Sequence, residues 1–551
     1  MTCGGGRARI AAVLALGVVA GCRGERTTPR ASTTTLALRV TERATPDRAT
    51  PDGAAPVGAR VLLVGADGAP VRIGAIDLYG QRQGGAACEI APGVVGSWDG
   101  LVLATGLAEV PIGDDRCAPS PAIRYGHYRV VAWRGVEYER WEGEVDLTAG
   151  RGRVELAIPL ERAWTPHGTL AADLHVHARA SNDSRVPNPQ RVVAQVAAGI
   201  QVIGLSDHNS NGDLDADIAA LGLEDRVASI ASNELTSDAL HVGVYPVVVD
   251  PSAPRGGALS DAELAGADAA RLFAHARALP GRPVVQLNHP RFRHTALFDA
   301  TRWDGVAWPP PFPLEFDAVE VIAGYSAFNA PDDRRLDDSV RDYLTLLDHG
   351  HLITPLGNSD THDLNWVLDG TARTYVLVDE PRTHPLDEDA FLAALRGRRV
   401  VATTGPWLDV EVAASEGAAP TVGPGGALVA HGRVWLDVTV AQARFVKVER
   451  LRISVGGPAG PTLAHVVEVP ADVRTHRWAG AIAVGSTDTW IVVTADGDTA
   501  MPLEITGTYQ RDKWKRAGVT PFAITGPILV DGDGDGRWRR GDADVDLGAP
   551  R

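Results

Sequence analysis

The spacing of hydrophobic and polar positions changes twice along the chain. Between about residues 56 and 165, apolar and polar positions alternate in short segments separated by Gly-rich turns, as in "ARVLLVGADGAPVRIGAIDLYG" and "GRVELAIPLER". Such alternation is typical of strands that bury one face. The pattern predicts a β-sandwich-like domain over residues 56–165, and we find no candidate chemistry in it.

Strands and helices alternate in the next region, residues 166–406. The strand-like "AADLHVH" precedes a helix candidate, "PNPQRVVAQVAAG", in which Asn188 is the expected cap, Pro189 suits the first turn and Gly199 ends the helix. Further strand candidates are "IQVIGLSDH", "VASIASNE", "PVVQLNHP", "DAVEVIAG" and "LITPLGNSDTH", with helix candidates between them. This order predicts a parallel sheet or barrel.

The alternating pattern returns after residue 407, in "WLDVEVA", "RVWLDVTVA" and "TWIVVTADG". It predicts a second β-sandwich-like domain over residues 407–525, followed by a tail over residues 526–551. The predicted fold class is therefore a multidomain α/β plus all-β protein, with an α/β region between two β domains.

The first residues are typical of a targeting segment rather than of a folded domain. Arg7 and Arg9 precede "IAAVLALGVVAGC", an apolar run too short to span a bilayer as a helix. The "VAGC" end resembles the lipobox of bacterial lipoproteins, which implies a signal peptide at residues 1–21 and a lipid on Cys22; an ordinary secretory signal is the alternative. Residues 22–55, rich in Thr, Arg and Pro, are predicted to be a flexible tether. The expected location is the bacterial cell envelope, outside the cytoplasm, with the lipid as the membrane anchor; in a cell with two membranes this is the outer membrane or the periplasmic face.

Charge and cysteine content narrow the partners and the compartment. The formal net charge is −16, and no Lys/Arg run is present, so nucleic acid is not an expected partner. Of the four Cys, Cys3 belongs to the signal peptide and Cys22 to the lipid anchor. Cys88 and Cys117 are then expected to form a disulfide in an exported protein, with two free thiols as the alternative. The oligomeric state does not follow from the sequence.

The predicted strands of the α/β region repeatedly end on side chains that bind metals. These strand-end residues are His175, His177, Asp207, His208, Glu234, His289, Asp360 and His362. Because the carboxyl ends of parallel barrel strands meet, the side chains are expected to converge. Imidazole and carboxylate together suit Zn²⁺, Mn²⁺ or Fe²⁺. A second His-x-His, His349 and His351, follows a helix, and we predict that these two residues lie on the surface.

The motifs "DLHVH", "SDHN", "NHP" and "NSDTH", in this order, resemble those of the PHP (polymerase and histidinol phosphatase) superfamily. The segments "SNDSRVP", "ELTSDALHVGVYPV" and "TTGP" resemble its carbaryl-hydrolase-like branch. The resemblance covers roughly residues 167–406. It implies a distorted (β/α)7 barrel that holds two or three divalent transition metals.

The resemblance also implies how the ligands are shared. One metal is expected on His175, His177, Glu234 and Asp360; a second on Glu234, His241 and His289; and a third on Asp183, His208 and His362. Asp207 is expected to orient one of these ligands by a hydrogen bond. Two motifs depart from the family: "SND" replaces Ser-Asp-Gly around Asp183, and "SDH" replaces Thr-Asp-His.

Adjacent divalent ions activate water for hydrolysis and bind the oxygen on which charge develops. We therefore expect a small-molecule ester as substrate, most simply a phosphate ester. A carbamate or carboxylic ester is the first alternative, and a non-catalytic binding lipoprotein with the barrel as scaffold is the second. Glu234, Asp207 and Arg291 are the expected catalytic residues. Arg291 is expected to hold an anionic substrate group, or else to form a surface salt bridge, and Asn209 and Asn358 are candidates to hydrogen-bond substrate.

The tail contains a second candidate metal site, "DGDGDGRWRRGD" at residues 531–542. Asp531, Asp533, Asp535 and Asp542 occupy positions one, three, five and twelve of a loop that resembles the calcium loops of EF-hands and dockerins. Asp replaces the usual Glu at position twelve. The sequence predicts a structural Ca²⁺ site here, with a solvated acidic turn as the alternative.

Overall fold

The computed structural model of the protein describes residues 34–43, 55–71, 73, 88–97, 100–113, 123–292, 295–324, 335–364, 367–507 and 518–547. It is a mixed α/β structure in which strands outnumber helices. The predicted signal peptide, the lipidation site Cys22 and the disulfide partner Cys117 lie outside these residues. Among the described residues, no helix combines the length and the apolar character needed to cross a bilayer.

The described residues of the N-terminal region form strands and no helix. They are β1 (Thr35–Glu42), β2 (Ala59–Val64), β3 (Cys88–Ala91), β4 (Val94–Ser97), β5 (Gly100–Leu103), β6 (Leu107–Pro111), β7 (Gly126–Trp133), β8 (Trp141–Leu147) and β9 (Arg153–Leu160). They form a three-stranded sheet, β6-β1-β9, and a six-stranded sheet, β3-β4-β5-β2-β7-β8. Apolar residues of both sheets form one core, as the alternating pattern predicts.

Strand β1 lies within the predicted tether, so the tether prediction is wrong for Thr35–Glu42. β1 pairs with β9 in parallel and with β6 antiparallel. Leu36, Leu38 and Val40 alternate along it and are buried in the sandwich core. The short alternating run "LALRV" was therefore a strand signal, which the Thr- and Pro-rich residues around it obscured.

The central region contains strands and helices. They are β10 (Thr169–Val176), α1 (Asn188–Ala197), β11 (Val202–Leu205), α2 (Asp215–Leu221), β12 (Ala228–Ala231), β13 (Asn233–Thr236), β14 (His241–Tyr245), α3 (Asp261–Leu264), α4 (Ala269–Ala278), β15 (Val284–Leu287), α5 (Leu297–Ala300), β16 (Ala318–Ala323), α6 (Arg335–Asp348), β17 (Thr354–Asn358), β18 (Arg373–Leu377), α7 (Glu388–Arg396) and β19 (Val400–Thr403). Helix α1 begins at Asn188 itself, without a side-chain cap.

Two sheets meet in the central region. One follows the order β12-β11-β10-β18-β19, and the other follows β13-β14-β15-β16-β17. The expected parallel pairing holds for β10-β11-β12 and β15-β16-β17, but β13-β14-β15 and β10-β18-β19 are antiparallel. The connection from β13 to β14 is too short for the crossover that parallel strands need. Isolated bridges between Val176 and Thr361, and between His208 and Glu234, join the two sheets where the ligand-type residues lie.

The C-terminal region returns to strands. They are β20 (Trp407–Ala413), β21 (Ala427–Val429), β22 (Arg433–Ala441), β23 (Arg450–Val455), β24 (Thr462–Glu468), β25 (Thr475–Ala483), β26 (Thr489–Asp496), β27 (Phe522–Thr525), β28 (Ile528–Asp531), β29 (Arg537–Arg540) and β30 (Ala543–Asp546); the described residues here also include a short helix, α8 (Leu503–Thr506). β27 pairs with β19, so the central sheet continues into this region. β28, within the predicted tail, pairs with β26.

Candidate metal centre

The fully buried strand β10 delivers the first two imidazoles. His175 and His177 lie on the same face of the strand because side chains alternate, and both are completely buried. His175 Nε2 lies 3.2 Å and His177 Nε2 lies 3.1 Å from Asp360 Oδ1, which follows β17. Burial, assisted by His362 and His208, lowers the pKa of His177 well below its ordinary value. This imidazole is therefore neutral, as a metal ligand must be.

Glu234 of β13 occupies the middle of the cluster, and its side chain is fully buried. Its carboxylate oxygens lie within 3.7 Å of nitrogen atoms on five imidazoles, those of His175, His177, His208, His241 and His289. Burial acts to raise the pKa of Glu234, but the surrounding imidazoles outweigh burial and hold the pKa well below its ordinary value. Glu234 is thus ionised and able to share cations between its two oxygens.

Asp183 lies at the side of the cluster nearest to solvent. Its Oδ2 lies 3.4 Å from His208 Nε2 and 3.3 Å from His362 Nε2. The Asp183 side chain is 34% exposed, whereas those of His208 and His362 are nearly buried. The His362 ring stacks on that of His177, with centroids 3.9 Å apart. This corner is therefore the open side of an otherwise buried cluster.

The ligand-type atoms fall into four overlapping groups, and within each group the atoms lie within 4.8 Å of one another. The groups are His175, His177 and Asp360; His175, Glu234 and His289; His208, Glu234 and His241; and His177, Asp183, His208 and His362. All nine residues expected as transition-metal ligands are among them. These buried groups could hold metal ions.

Several imidazoles are oriented by a contact at the other ring nitrogen. His175 Nδ1 lies 2.8 Å from Glu320 Oε1, and His177 Nδ1 lies 2.9 Å from Ser181 Oγ. Such contacts select the tautomer and point Nε2 at the centre. Glu320 of β16 also accepts a hydrogen bond from the backbone N–H of His289. The sequence analysis did not identify Glu320, although an acidic residue inside the apolar run "DAVEVIAG" was a signal that could have been used.

Asp207 lies where the resemblance implies, but it acts through an intermediary. Its Oδ1 accepts hydrogen bonds from the Ala178 N–H at 2.7 Å, the Ser181 N–H at 3.1 Å and the Ser181 hydroxyl at 2.7 Å. Because Ser181 contacts His177, Asp207 orients this imidazole through the serine. Asp207 itself belongs to none of the four groups.

Arg291 does not have the expected role of a clamp for an anionic substrate. Its guanidinium pairs with both oxygens of Asp342 on α6, at 2.6 and 2.9 Å, and donates to the carbonyl of Trp303 at 2.9 Å. Both the arginine and Asp342 are buried. Both predictions for Arg291, a clamp for substrate and a surface salt bridge, are therefore wrong. The Arg291–Asp342 pair is internal and links α6 to the segment after His289.

The side-chain amides of Asn209 and Asn358 also form hydrogen bonds within the protein. The Asn209 side chain exchanges hydrogen bonds with the backbone of Thr236. Asn358 accepts from the Leu174 N–H and donates to Glu320. The prediction that they bind substrate is therefore wrong, because their hydrogen bonds join neighbouring strands. Asn288, which sequence reasoning missed, donates instead to Glu234 Oε1 at 2.8 Å.

The acidic loop of the tail forms a different group from the one expected. Asp531 and Asp533 lie with Asp488, which precedes β26 and was not identified from the sequence. Asp535 pairs with Arg539, and Asp542 is exposed in the turn between β29 and β30. These two expected ligands are therefore not brought to the group. The spacing therefore identified two of the three carboxylates in this group, Asp531 and Asp533, whereas the third, Asp488, comes from a distant segment.

Comparison with known proteins provides no relative from which to transfer a role: no protein-family model, no curated protein and no solved structure matches the chain.

Proposed function

We propose that the protein is a metal-dependent hydrolase that acts on a small-molecule ester, most simply a phosphate ester. The observation that carries this proposal is the convergence of nine His, Asp and Glu side chains, from segments distant in sequence, into four overlapping groups. Burying so many ionisable groups together is unfavourable unless they pair with one another or bind metal ions. The proposal includes a distorted barrel of the PHP type as the framework.

The arrangement suits more than one cation because its groups share members. Glu234, His175, His177 and His208 each belong to two groups, so neighbouring ions would use common ligands. Adjacent divalent ions lower the pKa of water and stabilise negative charge that develops on an ester oxygen. Glu234, Asp360 and Asp183 would supply the anionic ligands, and the 34% exposure of the Asp183 side chain supports entry of water and substrate at that side.

Hydrolysis of a carbamate or a carboxylic ester is the second candidate function. The contacts of Arg291 support it. A phosphate ester substrate gains from a free cationic side chain near the ions. The arginine expected to supply it is neutralised by Asp342. A neutral ester does not require such a side chain.

The experiment that tests this proposal compares metal content with hydrolysis by the full chain and by His175→Ala. We expect two or three transition-metal ions per wild-type chain. We also expect turnover of one of four substrates: p-nitrophenyl phosphate, bis(p-nitrophenyl) phosphate, p-nitrophenyl acetate or a p-nitrophenyl carbamate. His175→Ala should lose at least one ion and about 100-fold in kcat/KM. His127→Ala, which removes an exposed imidazole paired with Asp146, is the control. A wild-type chain without transition metal after metal-supplemented expression would support the scaffold alternative instead.

We propose the cell envelope as the location, with a lipid on Cys22 as the anchor, and a structural Ca²⁺ on Asp488, Asp531 and Asp533. Mass spectrometry of the membrane fraction should detect a diacylated Cys22 peptide, and Cys22→Ala should release the protein from the membrane.

For the proposed calcium site in the tail, Ca²⁺ should raise the unfolding temperature of the protein, and Asp531→Asn should remove this effect. An unfolding temperature insensitive to Ca²⁺ would leave a solvated acidic turn.

A further inference from the structure

A buried arginine of the N-terminal β domain contacts the segment that follows the expected ligands Asp360 and His362. The six-stranded sheet of this domain packs on helix α1, so Val95 and Val102 share a core with Val192 and Val196. Strand β2 of this sheet is buried along its whole length. Arg60 of β2 is only 4% exposed. It donates from Nη1 to the Leu364 carbonyl at 2.9 Å and from Nη2 to Asp369 Oδ2 at 3.1 Å, so this side chain ends inside the central region.

Asp369 connects Arg60 to a second buried arginine. Its other oxygen, Oδ1, accepts from Arg191 Nη1 at 2.7 Å, and Arg191 of α1 is completely buried. Arg191 also donates to three backbone carbonyls: that of His177 at 2.9 Å, that of Asp363 at 3.1 Å and that of Thr361 at 3.3 Å. A single carboxylate thus joins a strand of one domain to a helix of the next.

The carbonyls held by the two arginines belong to the two segments that carry ligands. His177 is itself in one segment, and Thr361 stands between Asp360 and His362 in the other. The segments also bond directly, because the His177 N–H donates to the Thr361 carbonyl at 3.1 Å and the Asp360 N–H donates to the His175 carbonyl at 2.9 Å. Arg191 holds this junction at His177 and Thr361, and Arg60 holds it at Leu364.

We propose that the N-terminal β domain is a working part of the metal centre, with Arg60 as a positioning residue that acts through Asp369 and Arg191. This inference rests on the proposed function. A metal site requires its ligands to be placed within about 0.5 Å. The planar guanidinium donates in fixed directions and therefore transmits position better than a flexible ammonium group does. Loss of Arg60 should loosen the segment bearing Asp360 and His362 without touching any ligand.

The test measures metal affinity by chelator competition on the full chain, with the variants Arg60→Leu and Arg60→Lys. Leucine should be accepted in the fold because Trp133, Leu368 and Ile505 surround the site. We expect Arg60→Leu to bind the weakest-held ion about tenfold less tightly than the wild type. Arg60→Lys should recover part of the loss, since lysine can reach one of the two acceptors. The matched control is Arg129→Leu, which removes an exposed arginine of the same sheet and should change affinity less than twofold.

A double-mutant cycle separates this connection from general packing. If Arg60 acts through Asp369, then Arg60→Leu should weaken metal affinity much less in an Asp369→Asn background than in the wild type. Full additivity, or unchanged affinity in a folded Arg60→Leu with only a lower unfolding temperature, would overturn the inference and leave the proposed function intact. If Arg60→Leu does not fold, unchanged affinity in Arg60→Lys has the same meaning. A wild-type chain that binds no transition metal would overturn both.

Discussion

Single carboxylates decide the chemistry of the buried cluster. For His175, burial opposes protonation, but Asp360, Glu320 and Glu234 outweigh it and raise the pKa well above its ordinary value. A divalent cation at the same place would replace that proton. Glu320 differs from the other carboxylates because it contacts His175 at Nδ1, the nitrogen opposite to the centre.

Replacing Glu320 by Gln should therefore weaken metal binding without removing a ligand. The amide keeps the size of the side chain but removes the negative charge that makes His175 a better ligand. We expect metal affinity to fall about 10- to 100-fold, measured by chelator competition. Glu315→Gln, at an exposed position nearby, is the control. Unchanged metal affinity in Glu320→Gln would show that the negative charge of Glu320 does not strengthen metal binding by His175.

His351 offers a pH-dependent prediction away from the cluster. The expectation of a surface residue holds only in part for it, because its ring packs edge-on against Phe316 and the residue is partly buried. Burial lowers the pKa of His351 from 6.5 to about 4, with Asp317 opposing and Arg277 assisting. Between these pH values the unfolded chain binds more protons, so this contribution to stability is complete above pH 6.5 and is lost as the pH falls towards 4.

His351→Gln should consequently flatten the pH dependence of stability. Glutamine has no titrating group, so the variant should lose less free energy of unfolding between neutral pH and the folded-state pKa, by on the order of 2 kcal/mol. Urea unfolding at several pH values measures this difference. The control is His127→Gln, at an exposed histidine. Parallel curves for His351→Gln and the wild type would contradict the prediction.

At the scale of elements, β1 shows how a short pattern is decided by its neighbours. The strand lies between β6 and β9, and the latter follows far along the chain. Its apolar positions alternate as in any half-buried strand, but its place in the sheet depends on hydrogen bonds to β6 and β9, which follow much later in the chain. The same applies to helix α1, whose apolar face follows from the sequence while its second covering layer comes from the N-terminal sheet.

Leu38→Ala in β1 should destabilise the protein by about 2–4 kcal/mol, because it leaves a cavity in the sandwich core. Leu38 is buried between the two N-terminal sheets. Leu107→Ala in β6, where the leucine is 43% exposed, is the control and should change stability by less than about 1 kcal/mol. Denaturant unfolding distinguishes the two. A Leu38→Ala protein as stable as the wild type would mean that β1 behaves as the predicted tether after all.

At the scale of the molecule, the predicted boundary after residue 406 does not separate two independent units, because one sheet crosses it. One sheet runs from β12 through β19 to β27 and on to β24. Cutting the chain after residue 406 would remove β27 and expose the edge of β19, along with apolar residues now covered by the C-terminal strands. An unprotected edge strand favours aggregation.

We therefore expect a fragment that ends at residue 406 to aggregate more than a chain that continues to residue 551, when both are prepared without the predicted signal peptide and Cys22. Gel filtration and circular dichroism of matched preparations measure this. A full-length chain carrying Ala523→Pro, which blocks β27 at its pairing with β19, should show the same tendency to a lesser degree. A monomeric, folded fragment that binds metal as the full chain does would show that the central region is a separate domain.

Most of the metal-type residues could be read from the sequence because they follow directly from a local pattern, whereas Asp183 and His241 were expected only from the family resemblance. A strand that ends on His or Asp places this side chain at the strand end whatever surrounds it, and parallel neighbours bring such ends together. His175, His177 and Asp360 illustrate this: none needs a distant contact to be recognised. The division into β, α/β and β regions is equally local, since it depends on spacing alone.

What only the tertiary structure decided is which groups each side chain meets. Arg291 and Asn209 looked available for substrate, but their partners Asp342 and Thr236 come from other segments and occupy their hydrogen bonds. Glu320 and Asp488 are the converse case, because only the fold brings Glu320 to His175 and Asp488 to Asp531 and Asp533. The physical reason is that a strand's periodicity specifies the direction of a side chain, whereas charge pairing, burial and hydrogen bonding depend on chain segments that no local pattern connects.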